Sequence, residues 1–255
     1  MSITPKTLDP FLSTVYLFSM LKPFISIIIP VLNEADSINA IIEHLSSLKA
    51  QGGFEVVVAD GSPDGTTLNT IKPVIHQNIV LKTTLAPKGR GSQMNRGASL
   101  ANGNILIFLH ADTTISQKAI TRLQWEVKNN RAAVGGAFNL GIHSPKIIYR
   151  LIEYMANKRS RITRIPYGDQ AIFLRKKYFF KIGGFAEIPL MEDVDIMQRI
   201  KKKNDKIAIL PIKVQTSPRR WEKEGALYGT LRNWLLISLY LIGMSPDRLA
   251  RFYKF

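Results

Sequence analysis

The sequence has no cysteine in its 255 residues. Disulfides, thiolate metal sites and cysteine nucleophiles are therefore excluded, and a reducing, cytoplasmic setting is permitted. Acidic residues are scarce: 19 Asp and Glu stand against 35 Lys and Arg, for a formal net charge of +16. The imbalance favours anionic partners such as phosphates or acidic lipid surfaces. The basic residues are dispersed and no nucleic-acid-binding motif organises them, so nucleic acid is not an expected partner. No apolar run is long enough to cross a bilayer. The apolar stretch at 11–21 ends at Lys22 and Pro23 and has no small-residue cleavage site, so it reads neither as a span nor as a signal peptide. Residues 1–22 are expected to be an extension, either loosely packed, touching a membrane, or preceding a true start at Met20. Hydrophobic residues at 45% and charged residues at 21% are enough for a sizeable core. One α/β domain with a helical tail is expected, rather than two independent domains.

The run at 24–29, ending at Pro30, is continuous and β-branched, as suits a strand buried on both faces of a parallel sheet. Ile38, Ile41, Ile42, Leu45 and Leu48 follow at helical spacing, and Gly52 and Gly53 close that helix. The alternation continues with strands at 54–59, 79–83 and 104–109 and helices near 64–72 and 92–101. Such alternation predicts a parallel sheet with right-handed crossovers. Ligands of such sheets collect at the carboxyl ends of the strands, here 30–34, 60–64, 86–95 and 110–112. After Thr114 the pattern loosens, with helices near 117–129 and 146–161, strands near 134–140 and 171–174, and a helix at 194–201.

Carboxylates stand at several of these junctions: Asp60, Asp112, and the pair Glu192 and Asp193. Taken singly, each is equally a helix cap or turn former, and the acidic pair is equally a first turn favoured by the helix dipole. Residues 88–97 combine glycines, cationic side chains and a helix start, which is phosphate-binding chemistry, although a solvated turn has the same composition.

In order along the chain, Pro30-Val31-Leu32-Asn33-Glu34, Ala59-Asp60-Gly61-Ser62-Pro63-Asp64-Gly65-Thr66 and the 88–97 segment resemble the opening of family 2 glycosyltransferases of the GT-A fold. The resemblance implies a Rossmann-like α/β domain over residues 23–221, a mostly parallel central sheet flanked by helices, and an inverting transfer from a nucleoside-diphosphate sugar. It places Pro30, Asn33, Glu34, Asp60, Arg90, Gln93, Asn95 and Ala111 on the donor. Where the family has Asp-x-Asp, this chain has His110-Ala111-Asp112, which resembles a branch associated with radical-SAM and selenium-related domains. The resemblance implies a divalent cation, Mn2+ or Mg2+, at Asp112, and His110 is either a ligand or a neighbour of one. It further implies Asp193 as catalytic base with Glu192 beside it, and an acceptor side bordered by Gly136, Asp169 and Gln170.

Ser217-Pro218-Arg219-Arg220-Trp221 resembles the Gln-x-x-Arg-Trp segment of processive polysaccharide synthases, with Ser217 in place of Gln. That departure, with no membrane span, favours transfer of one sugar to a discrete acceptor. Arg219 and Arg220 are candidates to neutralise the departing diphosphate, and Trp221 to cover the acceptor. An Arg stacked on a surface Trp is the plainer alternative. Residues 222–255 are expected to form an apolar helical tail that packs on the domain, joins a homo-oligomer, or lies peripherally on an anionic membrane surface. Two other functions fit less well: a sugar nucleotidyltransferase, which would need a glycine-rich basic loop where residues 30–34 stand, and a nucleotide-sugar-binding or membrane-adaptor protein with impaired turnover.

Overall fold

A computed structural model describes residues 24–72 and 79–253. The 1–22 extension therefore lies outside the described residues. Within them the chain runs β1 (Ile25–Val31), α1 (Ile38–Ser46), β2 (Phe54–Asp60), α2 (Thr66–Asn69), β3 (Ile79–Leu85), α3 (Arg90–Leu100), β4 (Ile105–Phe108) and β5 (Thr113–Thr114). It continues α4 (Gln117–Asn129), β6 (Ala133–Ile142), α5 (Ile147–Thr163), a 3-10 turn (Gly168–Gln170), β7 (Phe173–Arg175) and α6 (Lys176–Lys181). Last come α7 (Glu192–Lys202), β8 (Lys206–Thr216), α8 (Arg219–Glu224), α9 (Ala226–Leu241) and α10 (Pro246–Phe252).

The strands form one sheet in the order β3-β2-β1-β4-β7-β6-β8-β5. Strands β3, β2, β1 and β4 are mutually parallel, as the alternating sequence predicts. Strand β7 enters antiparallel between β4 and β6 and joins that half to the second half. Both faces of β1 are buried, so it needs no polar alternation. Ile25, Ile27 and Ile29 pack with Ile38 and Ile42 of α1 and Ile120 of α4. On the opposite face Ile28 packs with Met94 of α3 and Phe108, next to Met197 of α7. Each fully buried Ile or Val side chain contributes about 1.5–3 kcal/mol.

The sequence pattern did not show β8. Its eleven residues are interrupted by Pro211, which removes a ladder donor. The fold accommodates it with a register shift: Phe138 pairs with Leu210 but Asn139 pairs with Lys213, leaving Pro211 in the bulge. Helix α2 is also shorter than expected, four residues in place of the 64–72 segment. The tail packs on the domain, since Leu236 and Leu249 are buried in the same core as Phe108 and Met197. Among the described residues no helix is long and apolar enough to cross a membrane.

Candidate active site

Arg90, His110, Asp112, Asp169, Asp193 and Arg220 converge on one cleft of about 140 Å³. It forms where β4 and β8 end, beside the 3-10 turn and the first turns of α3 and α7. Helix α7 begins at Glu192, so its first-turn acidic residues also meet the favourable end of the helix dipole. The Asp193 carboxylate is fixed by two backbone donors: the Gly168 N–H reaches Oδ2 at 2.7 Å and the Val194 N–H reaches Oδ1 at 2.7 Å. A carboxyl group has more acceptor positions than these two donors occupy.

Glu192 is placed differently from its neighbour. It is 2% exposed and ion-paired with Arg90, Nε to Oε1 at 2.9 Å. Burial raises its pKa while Arg90 opposes the rise. Glu192 therefore holds a guanidinium at the cleft and does not itself line it. Burial, then the nearby Arg90 charge, lowers the His110 pKa to about 4, so the imidazole is neutral and able to ligate a metal. Burial raises the Asp169 pKa, opposed by Arg159 and Arg220. Asp112 is pinned through its backbone, whose carbonyl accepts from Ser217 N–H at 3.0 Å. The antiparallel β5–β8 pairing beside it continues the restraint, with Thr113 Oγ1 and Thr216 Oγ1 3.1 Å apart.

The residues expected on the donor make the following contacts within the protein. Asp60 is fully buried: its Oδ1 accepts from the N–H and Oγ of Ser62 and its Oδ2 from the N–H groups of Thr67 and Leu68. It organises the loop after β2 and accepts from the first turn of α2. The Gln93 amide is buried and donates to the carbonyls of Val31 and Ala59, tying β1 to β2. Asn95 clasps the Phe185 peptide, accepting from its N–H and donating to its carbonyl, each at 2.9 Å. Pro30 is buried near the end of β1, and Ala111 is buried in the turn between β4 and β5. Asn33 is exposed, in the left-handed region at φ 57°. Glu34 accepts from Ser37 Oγ at 2.6 Å and lies 3.7 Å from Arg219, which links the loop after β1 to the segment after β8.

The acceptor-side expectations divide as well. Asp169, Arg220 and Trp221 line the cleft. Gln170 does not: it is fully buried, and its amide bonds to the Phe138 carbonyl and Ser160 Oγ. Gly136 lies within the sheet, where a Cβ would fall 1.8 Å from the Ala208 carbonyl oxygen, so it serves strand packing. Trp221 is 8% exposed and packs on Tyr149 with ring centroids 6.2 Å apart. Tyr253, Asn233 and Ile237 line the cleft from the tail and were not anticipated. Arg220 donates to Tyr253 Oη at 2.6 Å, a contact with no local signal because it depends on the tail folding back.

Comparison with known proteins agrees with this architecture. The model of glycosyl transferase family 2 matches residues 26–188. The chain is 34% identical over 179 residues to a PGL/p-HBAD biosynthesis glycosyltransferase of Mycobacterium bovis, covering 65% of this chain and 64% of that protein. It is 26% identical over 221 residues to the probable glycosyltransferase YdaM of Bacillus subtilis, covering 78% and 52%. The chain thus spans between half and two-thirds of the length of these curated relatives. Among solved structures, the mannosyltransferase PcManGT from Pyrobaculum calidifontis, in complex with GDP-Man and Mn2+, aligns with a TM-score of 0.59 at 18% identity, covering 89% of this chain and 67% of that one. S. aureus TarS 1-349 in complex with UDP-GlcNAc aligns with a TM-score of 0.55 at 16% identity, covering 76% and 58%. These likenesses carry the GT-A fold, and on the strength of the family match the chain belongs to glycosyl transferase family 2.

Proposed function

We propose that this protein is an inverting glycosyltransferase that moves one sugar from a nucleoside-diphosphate donor to the hydroxyl of a discrete acceptor, with Asp193 as general base. The observation that carries the reading is the convergence of the fixed Asp193 carboxylate with Arg90, His110, Asp112 and Arg220 on one cleft. Asp193 takes the hydroxyl proton as the acceptor oxygen attacks C1 of the sugar. The new C1–O bond forms while the bond from C1 to the diphosphate oxygen breaks, and the nucleoside diphosphate leaves with the electron pair. In-line displacement inverts C1. Arg90 and Arg220 supply positive charge toward the leaving group. The solved relatives in complex with UDP-GlcNAc and GDP-Man support a nucleotide-sugar donor.

A divalent cation fits the donor set in part. Neutral His110 offers nitrogen and Asp112 offers oxygen on the same cleft, a pairing that suits Mn2+ better than Mg2+. No group of three such side chains occurs among the described residues, so the donor diphosphate and water would complete the shell. When bound, the cation neutralises charge on the diphosphate. His110-Ala111-Asp112 is also the feature that supports placing the chain in the branch associated with radical-SAM and selenium-related domains.

The two-ligand set favours one competitor, a nucleotide-sugar-binding protein with impaired turnover. Donor hydrolysis and transfer with UDP- and GDP-sugars in Mn2+ decide between them. Turnover is expected, the product anomer is the opposite of the donor's, and Asp193→Asn lowers kcat about 10²–10⁴-fold with nucleotide binding kept. Nucleotide binding without any turnover supports the competitor. Full activity in Asp193→Asn removes Asp193 as base, and pyrophosphate release from a nucleoside triphosphate and a sugar phosphate makes the protein a nucleotidyltransferase.

A further inference from the structure

Beside the cleft, α5 and α9 enclose a second cavity of about 560 Å³ with mainly apolar walls. That is within the range of roughly 300–1,000 Å³ typical of small-molecule sites. It adjoins the cleft directly, since Tyr167, Val194 and Ile237 line both. Its walls include Arg159, which makes no close ion pair among the described residues, although Asp169 and Asp193 are near enough to favour its charge. The face of the Arg159 guanidinium stacks on the Tyr167 ring at 3.1 Å. Stacking engages the face and leaves the edge, where the hydrogen-bond donors point. At that edge Nη2 has one long contact, 3.5 Å to Gln170 Oε1, while Nε and Nη1 are buried and have no partner among the described residues. Burial lowers the Arg159 pKa to about 10, which still leaves it cationic near neutrality.

A buried donor edge without a partner is unfavourable, and an acidic group of a ligand would relieve it. The position is also specific. Arg159 stacks on Tyr167, and the next residue, Gly168, orients Asp193. An acid group at Arg159 thus lies across one dipeptide from the carboxylate proposed to receive the acceptor proton. The rims show where such a ligand would come from. On the groove's own lining α5 exposes Tyr154 (62%) and Ile162 (71%); away from the lining the same helix exposes Ile147 (84%) and Leu151 (52%), and α9 exposes Leu231 (60%) and Leu235 (59%). Two neighbouring helices with outward apolar stripes, on a chain of net charge +16, suit the boundary of an anionic bilayer.

Resting on the transferase reading above, we infer that the groove between α5 and α9 is the acceptor site for an anionic membrane lipid: its apolar chain lies between the helices, its acidic group meets the Arg159 edge, and its head-group hydroxyl is presented to Asp193. Arg159 is a binding residue here and takes no part in bond making.

The test uses dodecyl phosphate below its micelle concentration as the probe, titrated calorimetrically into the full chain, with inorganic phosphate and dodecyl maltoside as comparisons. Dodecyl phosphate is expected to bind, and each comparison at least about tenfold more weakly, because charge and chain act together. Arg159→Gln should weaken dodecyl phosphate about tenfold or more. Ile162→Asp, at an exposed rim position that folding does not need, should weaken it similarly. Both variants should bind nucleoside diphosphates as the wild type does. Dodecyl maltoside binding as tightly as the phosphate, with Arg159→Gln indifferent, overturns the proposal in favour of a charge-blind apolar surface. Inorganic phosphate binding as tightly overturns it in favour of a free anion site. A dimer in sedimentation that Ile162→Asp dissolves, with no dodecyl phosphate bound, overturns it in favour of a second copy. Because these readouts need no donor, absence of glycosyl transfer alongside lipid binding defeats the transferase reading, and with it the acceptor role, while binding of an anionic lipid by the groove stands.

Discussion

The Gly168 N–H and Asp193 Oδ2 are 2.7 Å apart, a contact between residues 25 positions apart in sequence that joins the 3-10 turn to the start of α7. Gly168 also approaches His110, since a Cβ built on it would fall 2.9 Å from Nε2 and 3.4 Å from Asp193 Oδ2. Gly168→Ala should therefore displace both side chains by a fraction of an ångström. The expected result is a fall in kcat of about 10–100-fold with nucleotide affinity kept. Steady-state kinetics beside nucleotide titration measures it, and unchanged kcat would show that the site tolerates the shift.

Arg90→Met leaves Glu192 buried without its cation. Arg90 is itself partly exposed, with 38% of its side chain accessible, so the loss is placed at about 1–3 kcal/mol near pH 7, below that of a fully buried pair. The sign with pH follows from burial, which raises the Glu192 pKa above its unfolded value. The folded state then binds the extra proton, and stability recovers as pH falls through the raised pKa. Urea denaturation of wild type and variant at pH 7 and about pH 5 should show the deficit narrowing in acid. A deficit that grows in acid would contradict this account of Glu192.

Glu55 behaves in the opposite way. It is fully buried, ion-paired with Lys82 at 2.7 Å, and accepts from Ser26 Oγ at 2.6 Å, Gly103 N–H at 3.2 Å and Asn102 N–H. Burial by itself raises its pKa, but Lys82, Ser26 and Asn102 together outweigh burial and lower it. Its stabilisation is present above the unfolded carboxylate range near about pH 4.3 and is lost as pH falls through the lowered folded value. Glu55→Gln should cost about 2–3 kcal/mol at neutral pH, with the difference from wild type shrinking below about pH 4. Denaturant midpoints across that range test it, and a difference independent of pH would remove the charge from the explanation.

If Asp112 holds a cation, nucleoside diphosphates should raise the melting temperature of the wild type more with Mn2+ than with chelator, because a ligand bound only by the folded state stabilises it. Asp112→Ala should erase the metal-dependent part of that increase and leave the rest. An equal increase in wild type and variant, with metal and without, would remove Asp112 from cation binding.

The first half of the fold was legible in the sequence because it is local. The β-branched run at 24–29 became β1, the helical spacing of Ile38 to Leu48 became α1, and helix 117–129 became Gln117–Asn129, each set by periodicity within a single element. Strand β8 was not legible: Pro211 breaks the pattern, and the bulge that tolerates it exists only when β6 lies alongside. Side-chain roles followed the same division. The resemblance implied donor contacts at Asp60, Gln93 and Asn95 and an acceptor contact at Gln170, and only the tertiary structure showed that each also bonds to other parts of the chain.

By itself, the sequence determined the alternating α/β order, the absence of thiol chemistry, the basic charge and the series of motifs, because these depend on residue type and spacing along one segment. The tertiary structure alone decided that Glu192 holds Arg90 while Asp193 faces the cleft, and that Tyr253 meets Arg220. It likewise placed Arg159, with an unpartnered edge, in an apolar groove beside the same cleft. Two adjacent acids share a helix turn, and only the direction in which that helix packs separates the buried one from the one that lines the cleft.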